Sequence, residues 1–255
     1  MLKKGLTIYE PVGKAGEYAP LAVNLYKGCS HGCRYCYAPS ATFKDRETFH
    51  RAAPRQDIIK KLLHDAPLAR DSYTGLDRTV LLSFTSDPYQ PINDTYGLTR
   101  QAITILHDHH FNVCILTKGG MRATADFDLL RPGDQFATTL TFLDEEQSLD
   151  WEPEAAWPGE RLAALAMAHF EGKTTWASLE PVIDPAVTLD IIQTTYTYVD
   201  LFKVGKLNYP EKLPEPYRSQ VKDIDWSKFA NDVTALLEKL DCRFYIKEDL
   251  RRYLS

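Results

Sequence analysis

Apolar residues along the chain fall into two kinds of run. Seven short runs rich in β-branched and aromatic residues are typical of buried strands, and longer segments with an apolar residue every three to four positions separate them. The strands are predicted at 22–26, 79–84, 112–117, 135–142, 174–179, 199–204 and 243–246. Strands that alternate with helices in this way indicate parallel βα units.

The helical rhythm is clear in two of the longer segments. Leu98 and Ala102 begin one apolar face, and Phe229 and Val233 begin another. Pro158 predicts the beginning of a further helix, because proline is well suited to the first turn. These signals support the alternation of strands and helices along the whole chain.

Six or seven βα units are fewer than the eight that close a complete barrel. We therefore predict an α/β fold with a partial, laterally open (β/α)6-type barrel. We expect one domain over residues 1–255, with a core at about 20–208 and a C-terminal helical extension at 209–255. A doubly wound open sheet is the alternative, although no glycine-rich phosphate loop follows the first strand. In either fold, functional side chains gather where the strands end.

Composition narrows the class of protein. The chain has 255 residues, of which 44% are hydrophobic and 25% charged, as in ordinary globular proteins. A net charge of −5 argues against a protein that coats nucleic acid nonspecifically. No apolar run approaches the roughly 18 residues that span a bilayer, and no apolar run follows the N-terminal lysines. We expect a soluble, cytoplasmic protein without a membrane partner.

Three of the five cysteines follow the first predicted strand. Cys29, Cys33 and Cys36 have the spacing C-x3-C-x2-C, in a loop that also contains Gly28 and Gly32. Three thiolates on a tight loop can each bind one iron of a cubane cluster, and the absence of a fourth nearby cysteine leaves one iron open. The spacing therefore predicts a [4Fe-4S] cluster.

Zinc is the alternative that soft thiolate ligands leave open. Structural zinc needs four ligands, and His31 could be the fourth, but it is badly placed for a tetrahedron. An odd number of cysteines in a chain without an export signal makes a disulfide framework improbable. Cys114 and Cys242 stand alone in apolar stretches, and we expect both to pack as core residues.

The triplet, with Tyr35 just before the third cysteine, resembles the motif of the radical S-adenosylmethionine (radical SAM) superfamily. Further segments resemble the branch that contains spore photoproduct lyase: residues 24–29, 36–38, 83–91, 116–119, 161–165 and 179–182. The resemblance implies an enzyme that cleaves S-adenosyl-L-methionine reductively at its cluster and abstracts hydrogen from a substrate. It also implies an external one-electron reductant of the flavodoxin or ferredoxin type. Lyase chemistry on a nucleic-acid or nucleotide-like substrate, in DNA repair, is implied as well.

The resemblance also assigns cofactor-binding residues. Ser86 and Lys118 match the serine and lysine that contact the methionyl part of S-adenosylmethionine in photoproduct lyases. A hydroxyl on the fourth strand has a similar role, and Thr139 is our choice, with Thr141 as the alternative. A lysine would neutralise the cofactor's carboxylate, and a hydroxyl would add a hydrogen bond.

Two tyrosines and a glutamate complete the candidate set. Tyr35 and Tyr37 match the proposed radical-relay pair of the lyases, although either ring could instead serve in packing, Tyr35 against adenine. Glu180 ends the fifth strand, and with Lys203 and Lys206 it could bind a ribose or a phosphate. These three charged residues could equally pair with one another.

One position departs from the lyases. They carry a cysteine two residues before the serine, where it returns a hydrogen atom to the repaired thymine, and this chain has Phe84 there. We therefore expect S-adenosylmethionine cleavage with little or no photoproduct repair. The alternatives are a radical enzyme for a substrate that is not nucleic acid, and a noncatalytic iron–sulfur module that senses redox state.

Overall fold

The computed structural model describes residues 2–254, and a seven-stranded parallel sheet forms its centre. The strands are β1 Leu21–Val23, β2 Tyr26–Lys27, β3 Ala53–Pro54, β4 Thr79–Leu82, β5 Asn112–Thr117, β6 Gln135–Thr139, β7 Thr174–Val182, β8 Leu201–Lys206 and β9 Phe244–Ile246. The sheet has the order β1-β4-β5-β6-β7-β8-β9, while β2 and β3 form a separate antiparallel pair.

Helices connect the strands. The α-helices are α1 Ala38–Ala41, α2 Arg46–His50, α3 Ile58–Ser72, α4 Ile92–Tyr96, α5 Leu98–Asp108, α6 Glu145–Trp151, α7 Pro158–Phe170, α8 Pro185–Thr195, α9 Tyr217–Val221, α10 Trp226–Lys239 and α11 Glu248–Arg251. Three segments form 3-10 helices: Gly13–Glu17, Gly120–Leu129 and Pro210–Lys212. No helix within the described residues is long and apolar enough to span a membrane.

The strand order confirms the predicted fold class. Each successive strand of the main sheet lies beside the preceding one, always on the same side. A doubly wound sheet requires a point at which the strand order reverses, and this sheet has none. The sheet ends at β1 and β9 without closing, which is the laterally open barrel that the strand count indicates. The edge strand β1 is partly covered, because Tyr9 forms an antiparallel bridge with Ala22. The boundary between core and extension at 208/209 stays a prediction, and β9, which follows it, pairs with β8.

The first strand is shorter than the predicted 22–26. It ends at Val23, because the side chain of Asn24 turns to accept hydrogen bonds from the backbone N–H groups of Phe84 and Thr85, both at 2.9 Å. The chain then enters β2 in the small antiparallel pair. This turn carries the following loop, with the cysteines, over the end of the barrel.

The predicted helix faces are confirmed. Leu98 and Ala102 are buried on α5, Phe229 and Val233 are buried on α10, and α7 begins at Pro158. One apolar cluster lies between the sheet and these helices. A second cluster lines the other face of the strands, where it includes Ala22, Leu81, Cys114, Ala137 and Trp176.

Candidate functional site

A cavity of about 920 Å³ lies at the carboxyl ends of the strands. Its volume is near the upper end of the range for ligand pockets, about 300–1,000 Å³. The cavity wall includes all nine predicted site residues: Cys29, Cys33, Cys36, Tyr35, Tyr37, Ser86, Lys118, Thr139 and Glu180. The structure thus brings the candidate set together, while the role of each residue stays a prediction.

The cysteine loop depends on a close approach of two backbones. Gly28 has a φ of +75°, and a Cβ at this position would lie 2.3 Å from the carbonyl oxygen of Phe49. The next N–H, of Cys29, donates to that same oxygen at 3.0 Å, and the N–H of Cys36 donates to the carbonyl of Cys33 at 3.1 Å. Only glycine fits at residue 28, and the loop is held against α2 as a result.

The three cysteines are thiols in the metal-free chain. Burial is the main cause that raises the pKa of Cys29 and Cys36, and it raises that of Cys33 to about 12. Hydrogen bonds from the backbone N–H groups of His31 and Ala38 oppose this effect at Cys29 and Cys36. Bound metal cations deprotonate such thiols outright, so binding would release protons.

The donor set on this loop consists of three thiols, and soft thiolates select iron–sulfur clusters or zinc. Across residues 2–254, no three His, Cys, Asp or Glu side chains are close enough to bind one metal ion. Tetrahedral zinc needs such a convergent group. In a cubane each thiolate binds a different iron, so the thiols stand farther apart. The described residues therefore offer no convergent group for mononuclear zinc, and the three cysteines stay the predicted ligands of an iron–sulfur cluster.

His31 lies buried in the cavity wall between the first two cysteines. Its side chain is 1% exposed, and Nδ1 is 3.5 Å from Oδ2 of Asp87. Burial lowers the pKa of His31 to about 4, against the opposing effect of Asp87, so the imidazole is neutral. A neutral ring keeps one N–H donor and one acceptor nitrogen.

Asp87 fixes the loops that carry the predicted cofactor contacts. One carboxylate oxygen accepts from the hydroxyl of Thr117 at 2.6 Å and from the N–H of Tyr89 at 2.8 Å. The other accepts from the N–H of Lys118 at 2.7 Å. The neighbouring Ser86 hydroxyl is buried and has no hydrogen-bond partner in the described part of the chain. Such an orphaned group in a cavity wall fits contact with a bound ligand.

Lys118 is a fixed cation in the cavity. Burial would lower its pKa, but Cys33, Glu152 and Asp87 outweigh that effect and hold the pKa above its ordinary value. The ammonium also lies 5.8 Å from the centre of the Tyr35 ring. A charged ammonium in this position suits the carboxylate of a ligand.

Tyr35 is anchored by a buried ion pair. Its phenol donates to Glu152, whose carboxylate lies 2.6 Å from Nη1 of Arg161. Burial would raise the pKa of Glu152, but Arg161 and Lys118 outweigh it, so the pKa is lowered and the carboxylate stays charged. Tyr37 is 40% exposed at the cavity mouth and donates to the carbonyl oxygen of Phe84 at 3.0 Å.

Glu180, on the opposite wall, already has three donors. It accepts from Nζ of Lys247 at 2.5 Å, from Nδ2 of Asn208 at 3.0 Å and from the phenol of Tyr18. A Cβ at Gly205 would lie 2.8 Å from Cδ of Lys247 and 3.0 Å from Cδ of Glu180. The glycine therefore makes room for this ion pair inside the barrel.

The two lysines considered as partners of Glu180 lie elsewhere. Nζ of Lys203 donates to the carbonyl oxygens of Glu17 and Tyr18 at 3.1 and 3.0 Å, and it stacks on Trp176. Lys206 donates to the hydroxyl of Tyr253 at 2.9 Å. The charged group on this wall is therefore built with Lys247, because β9 brings that residue beside β8.

Four functional side chains have no assignment from the sequence. Asp87 and Lys247 each follow a strand directly or within a short turn, so the rule that sites lie at strand ends could have found them. Arg161 lies in a segment that matches the lyase branch, but an arginine in a helix is usually a surface residue, so the sequence does not mark it as functional. No local signal marks Glu152, because its importance comes only from burial beside Arg161.

Comparisons with known proteins find relatives that are described only as uncharacterized proteins. No family model matches it. A protein of Methanocaldococcus jannaschii is 24% identical over 236 residues, which cover 88% of each chain. Proteins of Mycobacterium bovis and Mycobacterium tuberculosis are 30% identical over 171 residues, 63% of this chain and 49% of theirs. The chain thus spans about half the length of the mycobacterial relatives.

Solved structures are more informative. Spore photoproduct lyase complexed with dinucleoside spore photoproduct superposes with a TM-score of 0.70 at 14% identity, over 97% of this chain and 81% of that one. Streptococcus suis SuiB bound to S-adenosylmethionine superposes with a TM-score of 0.61 at 14% identity, over 90% of this chain and 51% of that one. The chain therefore shares its laterally open α/β barrel fold with spore photoproduct lyase and with SuiB.

Proposed function

We propose that this chain is a radical SAM enzyme. It binds a [4Fe-4S] cluster through Cys29, Cys33 and Cys36 and S-adenosyl-L-methionine through Ser86 and Lys118. The observation that carries the proposal is that the three cysteines, a charged lysine and an orphaned buried hydroxyl line one cavity at the strand ends. The fold shared with two radical SAM enzymes supports it.

When bound and reduced, the cluster supplies one electron for cleavage of S-adenosylmethionine, which provides the radical that removes hydrogen from a substrate. The chain's own residues bind and orient. Lys118 offers a charged donor for the cofactor's carboxylate, and Ser86 offers a hydroxyl that has no other partner within residues 2–254. Asp87 keeps both loops in place through its bonds to Thr117 and Lys118.

The remaining predicted residues take positioning and relay roles in this proposal. Thr139, at the end of β6, is 6% exposed and lines the cavity as a further cofactor contact. Tyr35, held by Glu152, and Tyr37, at the mouth, form the relay pair. Glu180 also lines the cavity, where it accepts a hydrogen bond from Lys247. In this role it would shape the cavity wall and accept hydrogen bonds from the bound cofactor.

A nucleic-acid or nucleotide-like substrate is the class we propose. The resemblance to a lyase whose structure holds a dinucleoside photoproduct supports it. Charge on the cavity wall also supports it, because Arg34 and Arg46 line the cavity, are exposed and donate only to backbone carbonyl oxygens within the described residues. Positive charge at a mouth attracts phosphates even though the chain has a net charge of −5. The electron comes from an external one-electron carrier.

Reconstitution with iron and sulfide without oxygen tests the metal site. Wild-type protein is expected to hold about four irons per chain, the content of a cubane. Cys29→Ala, Cys33→Ala and Cys36→Ala should each abolish iron uptake. Cys114→Ala is the matched control, because this cysteine is fully buried on β5 and should not affect iron content. Tight zinc binding without iron uptake would contradict the proposal.

A further inference from the structure

The cysteine loop carries polar atoms that lack any partner. The hydroxyl oxygen of Ser30 and both ring nitrogens of His31 are buried, and none of them makes a hydrogen bond within residues 2–254. Ser30 and His31 lie between Cys29 and Cys33. Buried polar groups in folded proteins nearly always have a partner, so three orphaned atoms in two adjacent residues call for an explanation.

The backbone of these residues is firmly held. The N–H of Ser30 donates to Oε1 of Gln90 at 3.0 Å, and the carbonyl of His31 accepts from the N–H of Glu154 at 3.1 Å. The two side chains therefore cannot find partners by a shift of the loop alone. They are held in place as unused hydrogen-bonding groups beside the thiols.

No neighbouring group within the described residues forms a hydrogen bond with the ring nitrogens of His31. The nearest carboxylate oxygen, Oδ2 of Asp87, is 3.5 Å from Nδ1 and already accepts the N–H of Lys118. A role for His31 as the fourth ligand of a zinc ion is also disfavoured, because no three potential ligands converge on one ion among the residues described. His31 lines the same cavity as the three cysteines, so the sulfur atoms of a cluster bound there are acceptors that the proposed function supplies.

We infer that the His31 imidazole, which lines the cavity with the three thiols, donates a hydrogen bond to a sulfur atom of the cluster and thereby raises its reduction potential. The inference rests on the proposed function, since it requires the cluster at Cys29, Cys33 and Cys36. Hydrogen bonds to sulfur are among the factors that set the potential of an iron–sulfur cluster. A donor's partial positive charge stabilises the reduced cluster, which is the more negative form, so loss of a donor should lower the potential.

The test is the midpoint potential of the reconstituted cluster, followed by the electron paramagnetic resonance signal of its reduced form. His31→Leu is expected to shift the redox equilibrium about tenfold toward the oxidised cluster, which for one electron corresponds to about 59 mV in the negative direction. His31→Gln keeps an N–H donor and should recover much of the wild-type value.

Thr195→Val is the matched control. Its hydroxyl is fully buried in α8, bonds the carbonyl of Ile191 at 2.7 Å and is not in the cavity wall, so its loss should leave the potential unchanged. A His31→Leu potential equal to that of wild type overturns the inference. If leucine prevents cluster assembly, His31→Met, which also lacks an N–H donor, decides: a more negative potential supports the inference and an unchanged one overturns it. Failure of wild-type protein to take up iron would instead contradict the proposed function.

Discussion

The carboxylate of Glu152 lies 2.6 Å from Nη1 of Arg161, and both side chains are almost wholly withdrawn from solvent. Arg161 also donates to the carbonyl oxygens of Ala156 at 2.7 Å and Thr139 at 3.3 Å, while the N–H of Ala156 donates to the carbonyl of Lys118 at 2.9 Å. The pair therefore joins the loop after α6 to the ends of β5 and β6, where the predicted cofactor contacts lie.

Arg161→Met should destabilise the chain strongly. Removal of one partner leaves the carboxylate of Glu152 buried without compensation, which typically costs about 3–5 kcal/mol. Urea unfolding measures the loss. Arg218→Ala is the control, because Arg218 pairs with Glu215 at 2.9 Å on the surface, where ion pairs contribute about 0–1 kcal/mol. Equal losses of unfolding free energy in the two variants would show that the buried pair contributes no more to stability than the surface pair.

The lowered pKa of Glu152 predicts how stability depends on pH. The folded chain holds this carboxylate below the ordinary value of 4.5, so it binds fewer protons than the unfolded chain. Its contribution to stability is fully present above that ordinary value and is lost as the pH falls through the folded value. Thermal unfolding of wild type and of Glu152→Gln should therefore converge as the solution is acidified. Glu146 is exposed, so the unfolding temperature of the Glu146→Gln control should keep a constant difference from wild type at every pH. A constant difference for Glu152→Gln as well would contradict the prediction.

Much of the fold can be predicted from hydrophobic periodicity, because every strand of the main sheet is buried and each long helix has one apolar face. The end of β1 cannot, since it depends on the side chain of Asn24 meeting the backbone at Phe84 and Thr85, about sixty residues later. The limits of several other strands differ from the predicted ones by a few residues.

The candidate site also contains residues that the sequence predicts and residues that it does not. Cys29, Cys33 and Cys36 are close in sequence, so their spacing alone indicates shared chemistry. The role of Lys118 as a cofactor contact is predicted from the resemblance, and its position directly after β5 agrees with that role. The partner of Glu180 could not be predicted, because Lys247 reaches it only when β9 joins the sheet beside β8.

Loss of Lys118 should weaken cofactor binding without loss of the cluster. Lys118→Ala removes a charge-assisted hydrogen bond, so S-adenosylmethionine binding should weaken by about 1.5–3 kcal/mol, and Ser86→Ala should cost about 1 kcal/mol. Calorimetry on the reconstituted protein measures both. Lys173→Ala is the control, because that ammonium donates to the carbonyl of Leu130 and lies outside the cavity wall. Unchanged affinity in Lys118→Ala would show that the assignment is wrong.

Phe84 should limit photoproduct repair. Its ring lines the cavity and meets Tyr18 edge to face, with 5.9 Å between ring centroids. The sequence resemblance predicts that this is the position at which the lyases carry a thiol. A phenyl ring has no hydrogen atom weak enough to give to a product radical. Supplied with dinucleotide photoproduct and dithionite, wild type should form 5′-deoxyadenosine but release little thymine. Phe84→Cys should give a higher yield of thymine, and clean, multiple-turnover repair by wild type would contradict this prediction.

The central claim is tested most directly by the release of 5′-deoxyadenosine from S-adenosylmethionine. Reconstituted wild-type protein reduced with dithionite should form this product, Cys36→Ala should form none, and Cys114→Ala should match wild type. If the wild-type cluster is present and reduced but no 5′-deoxyadenosine forms, the account is contradicted, and the chain is a noncatalytic iron–sulfur protein.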